Sequence, residues 1–426
     1  MSVAAVEVSV WGHRVGAVAP SRTSRAYEFV YYEDWASRGI DLAPLMMPVA
    51  QGAERRWRFP ELGDSFRGLP GLISDALPDA FGNRLIDAWM ATKGVTMDDV
   101  TALDRLAYMG RRAIGALEFR PALGSKKDIK RPLEMKRLVE EARQVLHGSI
   151  SDDRLARSAI AEILAVGTSA GGARPKAVIA WNPETEEILS GQFDTPEGFE
   201  HWLIKFDGVE EATLRGAGSE YGRREYAYHL MASAAGIAMS PSRLLPENGR
   251  AHFMTRRFDR VGNTKLHLQS LCAMDHLDYQ QIGTHAYEQY FMAIQNLGLG
   301  DEALAEAFRR VAFNVAARNC DDHSKNFGFI LPKGGKWALA PAYDITFAFN
   351  PNGTWNKQHL MSVNGKFIGI AREDILTLAS RFSVPGAKAI LGKVHDALDS
   401  WVQFAGKAGL STAMVDRVAG NFQRLG

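Results

Sequence analysis

Residues 319–330 of the chain read NCDDHSKNFGFI and set Asp321 and Asn326 apart with four residues between them. A carboxylate and an amide at that spacing suit phosphoryl transfer. The carboxylate takes the proton of an attacking hydroxyl, and the amide oxygen about one loop turn later holds Mg²⁺. His323 follows the aspartate here instead of preceding it. Taken alone, the string also reads as a solvated Asp-Asp-His turn.

A second carboxylate stands in APAYDITFAF, where Asp344 follows an apolar segment. Between Asn326 and Asp344 lie FGFIL and WALAP, separated by PKGGK, the pattern of a hairpin with a Gly-Gly turn. A hairpin would return Asp344 to the neighbourhood of Asn326, where both could bind one metal ion. No Phe-Gly follows this aspartate, and an aspartate capping a helix after a strand is the plainer alternative.

Two further segments could handle phosphate. HWLIKF (201–206) alternates so that Trp202, Ile204 and Phe206 share one face of a strand, and His201, Leu203 and Lys205 the other. A lysine among apolar neighbours either snorkels to solvent or is held by an anion, with Glu225 on the next helix a possible partner. GTSAGGARPK carries Gly167, Gly171 and Gly172, which let the backbone approach phosphates closely. It does not meet the G-x-x-x-x-G-K-[ST] loop, because Ala173 and Arg174 follow Gly172 and a strand follows where that loop needs a helix. A lid between secondary elements is the reading that remains, about thirty residues before Lys205.

The elements that must position these residues are legible in outline. Val6, Val8 and Val10 alternate, as do Tyr27, Phe29 and Tyr31, so residues 1 to about 60 read as short strands. RLIDAWM and TALDRLAYM are helical in period, and KKDIKRP (126–132) is a charged, Pro-terminated linker before a helix from Leu133 to about Leu146. AVIAW (177–181), HWLIKF and AHFMTRRF (251–258) are strands, and REYAYHLMASAAGI (224–237) is a helix ending at Gly236. Asp301 is expected to cap a helix with Leu304, Phe308, Val311 and Val315 on its apolar face. Ile390, Leu391, Val394, Leu398 and Trp401 mark one late amphipathic helix. The expected fold class is α+β: a small β-rich and helical subdomain (1–125), a strand-rich lobe (126–258) and a helical lobe (259–426).

Composition narrows the setting. Fifty basic against 49 acidic residues give a net charge of +1, which offers no sign of indiscriminate nucleic-acid binding. Two cysteines, Cys272 and Cys320, lack metal-ligand spacing and fit a reducing compartment. No stretch approaches the roughly 18 apolar residues of a membrane span, and no signal-peptide pattern opens the chain. A cytoplasmic location without membrane contact is expected.

Together GTSAGGARPK, HWLIKF, REYAYHL, RRFDR, NCDDHSKNFGF and LAPAYDI resemble the HipA family of toxin kinases from bacterial toxin–antitoxin pairs. RGLPGLISDALPDAFGNRLI and GALEFRP resemble that family's N-terminal region. The resemblance runs from about residue 70 to 350, and the order of the motifs is more specific than any one of them.

That resemblance implies a two-lobed, protein-kinase-like core and a serine/threonine protein kinase using ATP and Mg²⁺. Asp321 would be the catalytic base, and Asn326 and Asp344 the metal ligands. Lys205 would hold the ATP phosphates, under a loop of Gly171, Gly172, Ala173, Arg174, Pro175 and Lys176. His323, Ser324, Lys325 and Tyr343 would line the site. Arg256, Arg257 and Phe258 would form the hinge, binding adenine mainly through backbone groups. Family members carry glutamate at position 256, and Gln-Glu where this chain has Arg174 and Pro175. Ser169 matches the serine that the family autophosphorylates. The implied target is a translation factor such as an aminoacyl-tRNA synthetase. The implied partner is a helix-turn-helix antitoxin, with DNA met only through it. Two rivals stay open: a small-molecule or lipid phosphotransferase, and a degenerate kinase kept as a co-repressor scaffold.

Overall fold

In the computed structural model the described residues are 3–91, 94–123, 133–146, 174–208 and 220–425. The fold is α+β, and the chain divides into two compact units. One comprises residues 1–220, 245–268 and 332–334, and the other 221–244, 269–331 and 335–426. Packing thus groups the N-terminal subdomain and most of the expected strand-rich lobe in one unit.

A four-stranded and a five-stranded sheet lie wholly or mostly in the first unit. Strands β1 (Val6–Val10), β2 (His13–Pro20), β3 (Tyr27–Tyr31) and β4 (Leu117–Arg120) form a sheet in the order β3-β2-β1-β4. Val6, Val8 and Val10 are fully buried in it, so the alternation read from sequence does mark a core face. Helix Ala102–Met109 is started by Thr101, whose hydroxyl accepts from Asp104 N–H while the Asp104 carboxylate accepts from Thr101 N–H.

Strands β5 (Lys176–Trp181), β6 (Ile188–Ser190), β7 (Glu200–Lys205), β8 (Ser242–Glu247) and β9 (Arg250–Arg256) form the second sheet, in the order β6-β5-β7-β9-β8. β5 is buried along its whole length, as a strand covered on both faces must be. Its register with β7 sets Lys176 directly opposite Lys205, and β9 sets Phe253 on the other side of Lys205.

Just past β9 a buried charge cluster fixes the chain to the N-terminal sheet's unit. Asp259 accepts from Arg257 Nε and Nη2 at 2.8 and 2.6 Å and from the Gly115 N–H at 2.8 Å, with Arg260 Nη1 at 3.2 Å. Burial alone would raise the Asp259 pKa, but the two guanidinium groups hold it well below the usual carboxylate range. Gly115 has φ +78°, and a Cβ there would meet the Leu268 N at 3.0 Å, so no larger residue fits.

The second unit is mostly helical. Helix Tyr221–Ala234 packs on helices Gly300–Ala316 and Trp401–Ala408 through Tyr228, which meets Phe313 and Trp401 edge-on, and it also lies against helix Ala387–Asp399. The Tyr228 hydroxyl, fully buried, donates to the Ala317 carbonyl at 2.6 Å. Each such buried aromatic is worth about 1.5–3 kcal/mol of apolar transfer, and its polar tip is satisfied. Leu304, Phe308, Val311 and Val315 all face this core.

Two expectations need correction. Asp301 is not a cap: the helix begins at Gly300 with Leu299 in the cap position, and Asp301 sits inside the first turn, where its charge complements the helix N-terminus. Trp401 does not continue the helix of Ile390 and Leu398. That helix stops at Asp399, and Trp401 opens the next one after Ser400.

Candidate active site

Helix Gly300–Ala316 delivers the motif. Arg318 turns the chain in the left-handed region (φ +57°), and the Asn319 N–H and side-chain amide donate to Asn314 at 2.9 and 3.0 Å. The loop that follows is nailed down by Asp322, a residue sequence gave no role. Its side chain is wholly buried and accepts from the Tyr287 hydroxyl, His359 Nδ1 and Leu360 N–H, each at 2.7 Å. Burial alone would lower the His359 pKa, but the Asp322 carboxylate outweighs it and pushes His359 up to about 10. The His359 imidazole is therefore protonated at neutral pH.

Asp321, one residue earlier, has a side chain 42% exposed. Its Oδ1 accepts from the Trp355 indole N–H at 2.6 Å, and His323 Nε2 stands 3.7 Å from the same oxygen. Asn326 closes the loop: its amide nitrogen donates to the Asp321 carbonyl at 2.8 Å. That bond leaves the amide oxygen as the end presented to a ligand.

The hairpin expected between Asn326 and Asp344 forms, from antiparallel strands Gly328–Leu331 and Ala338–Leu339. Ala340 N–H donates to the Gly328 carbonyl at 2.9 Å, and the Tyr343 hydroxyl to the Lys325 carbonyl at 2.9 Å. Tyr343 therefore ties the segment bearing Asp344 to the loop bearing Asn326. A Cβ on Gly328 would lie 3.1 Å from the Tyr343 ring, which explains glycine there. Asp344 has φ +54°, a left-handed conformation uncommon outside glycine, asparagine and aspartate. Such strain concentrates at functional positions.

His323 is packed between ring systems, 5.2 Å from Tyr279 and 6.0 Å from Trp355. Burial pushes its pKa down, against the pull of Asp321 and Asp344, so the imidazole is neutral. Lys325 reaches over the Tyr279 ring at 5.4 Å. Ser324 is buried and donates its hydroxyl to the Leu277 carbonyl at 2.6 Å, a structural bond that removes it from the ligand-facing set.

Among the described residues no group of three or more His, Cys, Asp or Glu forms a complete metal cage. The side chains of Asn326 and Asp344 offer an amide oxygen and a carboxylate, hard oxygen ligands of the kind Mg²⁺ takes while keeping waters and substrate phosphates. Asn326 and Asp344 fit that ion.

In the first unit, Lys205 is half-buried and 5.8 Å from the Phe253 ring. Its cross-strand neighbour Lys176 is buried, with its ammonium 3.3 Å from Asp79. Two like charges directly opposite on one face are unfavourable unless anions face them. Arg256 is exposed and paired with Glu200 at 3.2 Å. The Arg257 side chain belongs to the Asp259 cluster, and its N–H donates to the His201 carbonyl at 2.9 Å, so neither is open to adenine. Phe258 follows it, half-buried. Arg174 and Pro175 precede β5, while Ser169, Gly171, Gly172 and Ala173 lie outside the described residues.

Sequence reasoning missed Trp355 and the Asp322–His359 pair. The first sits in a polar stretch, PNGTWNKQH, whose only signal was an aromatic in a loop.

Residues 168–402 match the HipA-like C-terminal domain and residues 6–120 the HipA N-terminal domain. No curated protein matches significantly. Among solved structures, HipA of Shewanella oneidensis MR-1, from a toxin–antitoxin complex of HipA, HipB and operator DNA, aligns with a TM-score of 0.61 at 16% identity. The alignment covers 97% of this chain and 94% of that one, a likeness of fold. The Helicobacter pylori proinflammatory kinase CtkA aligns at 14% identity over 52% of this chain and 88% of that one, with a TM-score of 0.34.

Proposed function

The chain belongs to the HipA family, and on that premise we propose that it is a serine/threonine protein kinase using ATP and Mg²⁺. The observation that carries this reading is the joining of three groups in one loop cluster. Asn326 is bonded to the backbone of Asp321, and Tyr343 ties the Asp344 segment to the same loop. In the reaction, the acceptor O–H bond breaks and its proton passes to the Asp321 carboxylate. The freed oxygen bonds to the γ-phosphorus, and the bond to the β,γ-bridging oxygen breaks, its electron pair leaving with ADP. Asn326 and Asp344 would hold Mg²⁺, which supplies charge neutralisation on the phosphate oxygens. The family resemblance assigns Lys205 to the nucleotide phosphates.

We carry two further features from the family resemblance. Ser169 is the autophosphorylated residue, and the acceptor in the cell is a translation factor such as an aminoacyl-tRNA synthetase. The Shewanella protein's complex with HipB and operator DNA supports a helix-turn-helix antitoxin as partner here. The test is transfer of labelled γ-phosphate to a bacterial protein extract beside a metabolite and lipid panel. Label on protein, lost in Asp321→Ala, supports the kinase. ADP release only with metabolites or lipids would move the chain to small-molecule phosphotransfer, and no ADP at all would leave a scaffold.

A further inference from the structure

Trp355 belongs to the segment that follows the metal-binding aspartate, and it meets the base directly. Its indole N–H lies 2.6 Å from Asp321 Oδ1, a short, charge-assisted bond. No described residue hydrogen-bonds the other carboxylate oxygen, Oδ2. The segment is closed on itself, with Asn350 N–H donating to Asn356 at 3.1 Å and Gly353 N–H to Asn350 at 2.9 Å. It is then fastened four residues further on, where His359 and the Leu360 N–H both bond Asp322 at 2.7 Å. Two adjacent aspartates thus grip one loop at two points.

We propose that Trp355 is a positioning residue for phosphoryl transfer, an inference that rests on Asp321 being the base. An indole nitrogen is a donor only, so it cannot take the acceptor's proton. What it does is fix the carboxylate. A side chain as open as that of Asp321 would otherwise sample several rotamers, few of which aim an oxygen at the hydroxyl. With Oδ1 held by the indole, Oδ2 is the oxygen that receives the proton as the acceptor oxygen bonds to phosphorus and ADP departs. The Asp322 anchors make the indole a fixed support. A plug that must swing away would not need them.

The test compares Trp355→Phe, which keeps a ring and loses the N–H, with Trp355→His, which restores a ring N–H. Turnover is measured with ATP and myelin basic protein as acceptor, alongside thermal melting. Trp355→Phe is expected to lower kcat about tenfold, the scale of one hydrogen bond to a charged group. The KM for ATP and the melting temperature should stay at their wild-type values, and Trp355→His should regain part of the rate. Wild-type kcat in Trp355→Phe overturns the proposal, and a faster enzyme identifies a plug instead. A joint fall in kcat and melting temperature without recovery in Trp355→His reduces Trp355 to packing. Asp321→Ala separates the two readings: turnover in that variant removes the base assignment itself, whereas a dead Asp321→Ala beside an unaffected Trp355→Phe sinks only the role of Trp355.

Discussion

The side-chain amide of Asn326 donates to the backbone carbonyl of Asp321 at 2.8 Å, so the proposed base and the proposed metal ligand are fixed to one another. Replacing the Asp321 side chain leaves that bond in place, because it uses the main chain. Asp321→Ala should therefore cut phosphoryl transfer by about 10²–10⁴-fold while ATP binding, followed by calorimetry, stays within a few-fold. A variant turning over at the wild-type rate would remove Asp321 from the mechanism.

Asp344→Asn should raise the Mg²⁺ requirement and abolish activity. The substitution exchanges a hard anionic oxygen for a neutral amide, a poorer ligand for this ion. Titrating Mg²⁺ at fixed ATP gives the answer, and a curve that superimposes on the wild type would refute the ligand assignment.

Stability should fall as pH rises because of His359. Its folded pKa, about 10, lies above the ordinary value near 6.5. The contribution of its pair with Asp322 is therefore fully present below about pH 6.5 and is lost as pH rises through about 10. Urea unfolding of wild type and His359→Gln should show a gap of about 3–5 kcal/mol in mild acid, the usual result of stripping one partner from a buried pair. That gap should narrow steadily toward alkaline pH. A gap independent of pH would mean that His359 is neutral in the folded protein.

Ser169 stands between Gly167 and Gly171 in sequence, in the segment expected to close over ATP. Phosphate there would add roughly −1.5 to −2 charges to that segment. Wild-type enzyme incubated with ATP should acquire phosphate at Ser169 and lose activity, and Asp321→Ala should acquire none. Mass spectrometry reads both. A wild type that never carries the modification, or carries it without losing activity, would dispose of the switch.

Sequence made visible those features that follow a local rule. Val6, Val8 and Val10 declare their face by alternation, and the glycines of PKGGK declare the hairpin that brings Asp344 back to Asn326. Asp322 could not be read because a buried anchor and a solvated turn share the same letters, and what separates them is His359, 37 residues away. Trp355 was hidden for the same reason, since its partner Asp321 is 34 residues distant with no spacing rule between them. The Asp301 cap failed on competition: it is a good capping residue, but the helix starts one residue earlier, at Gly300. The partner of the Arg257 side chain was hidden too, because Asp259 meets Arg257 and Gly115 only in three dimensions.

At position 344 the backbone and the proposed Mg²⁺ ask for different things. A φ of +54° is tolerated by glycine, asparagine and aspartate and resisted by most other residues. The ion asks for a carboxylate and would accept glutamate on chemistry alone. Only aspartate satisfies both demands. Selection among all twenty residues at this codon, scored once for folded protein and once for phosphorylation, should return two short and different alphabets with aspartate as their single shared letter.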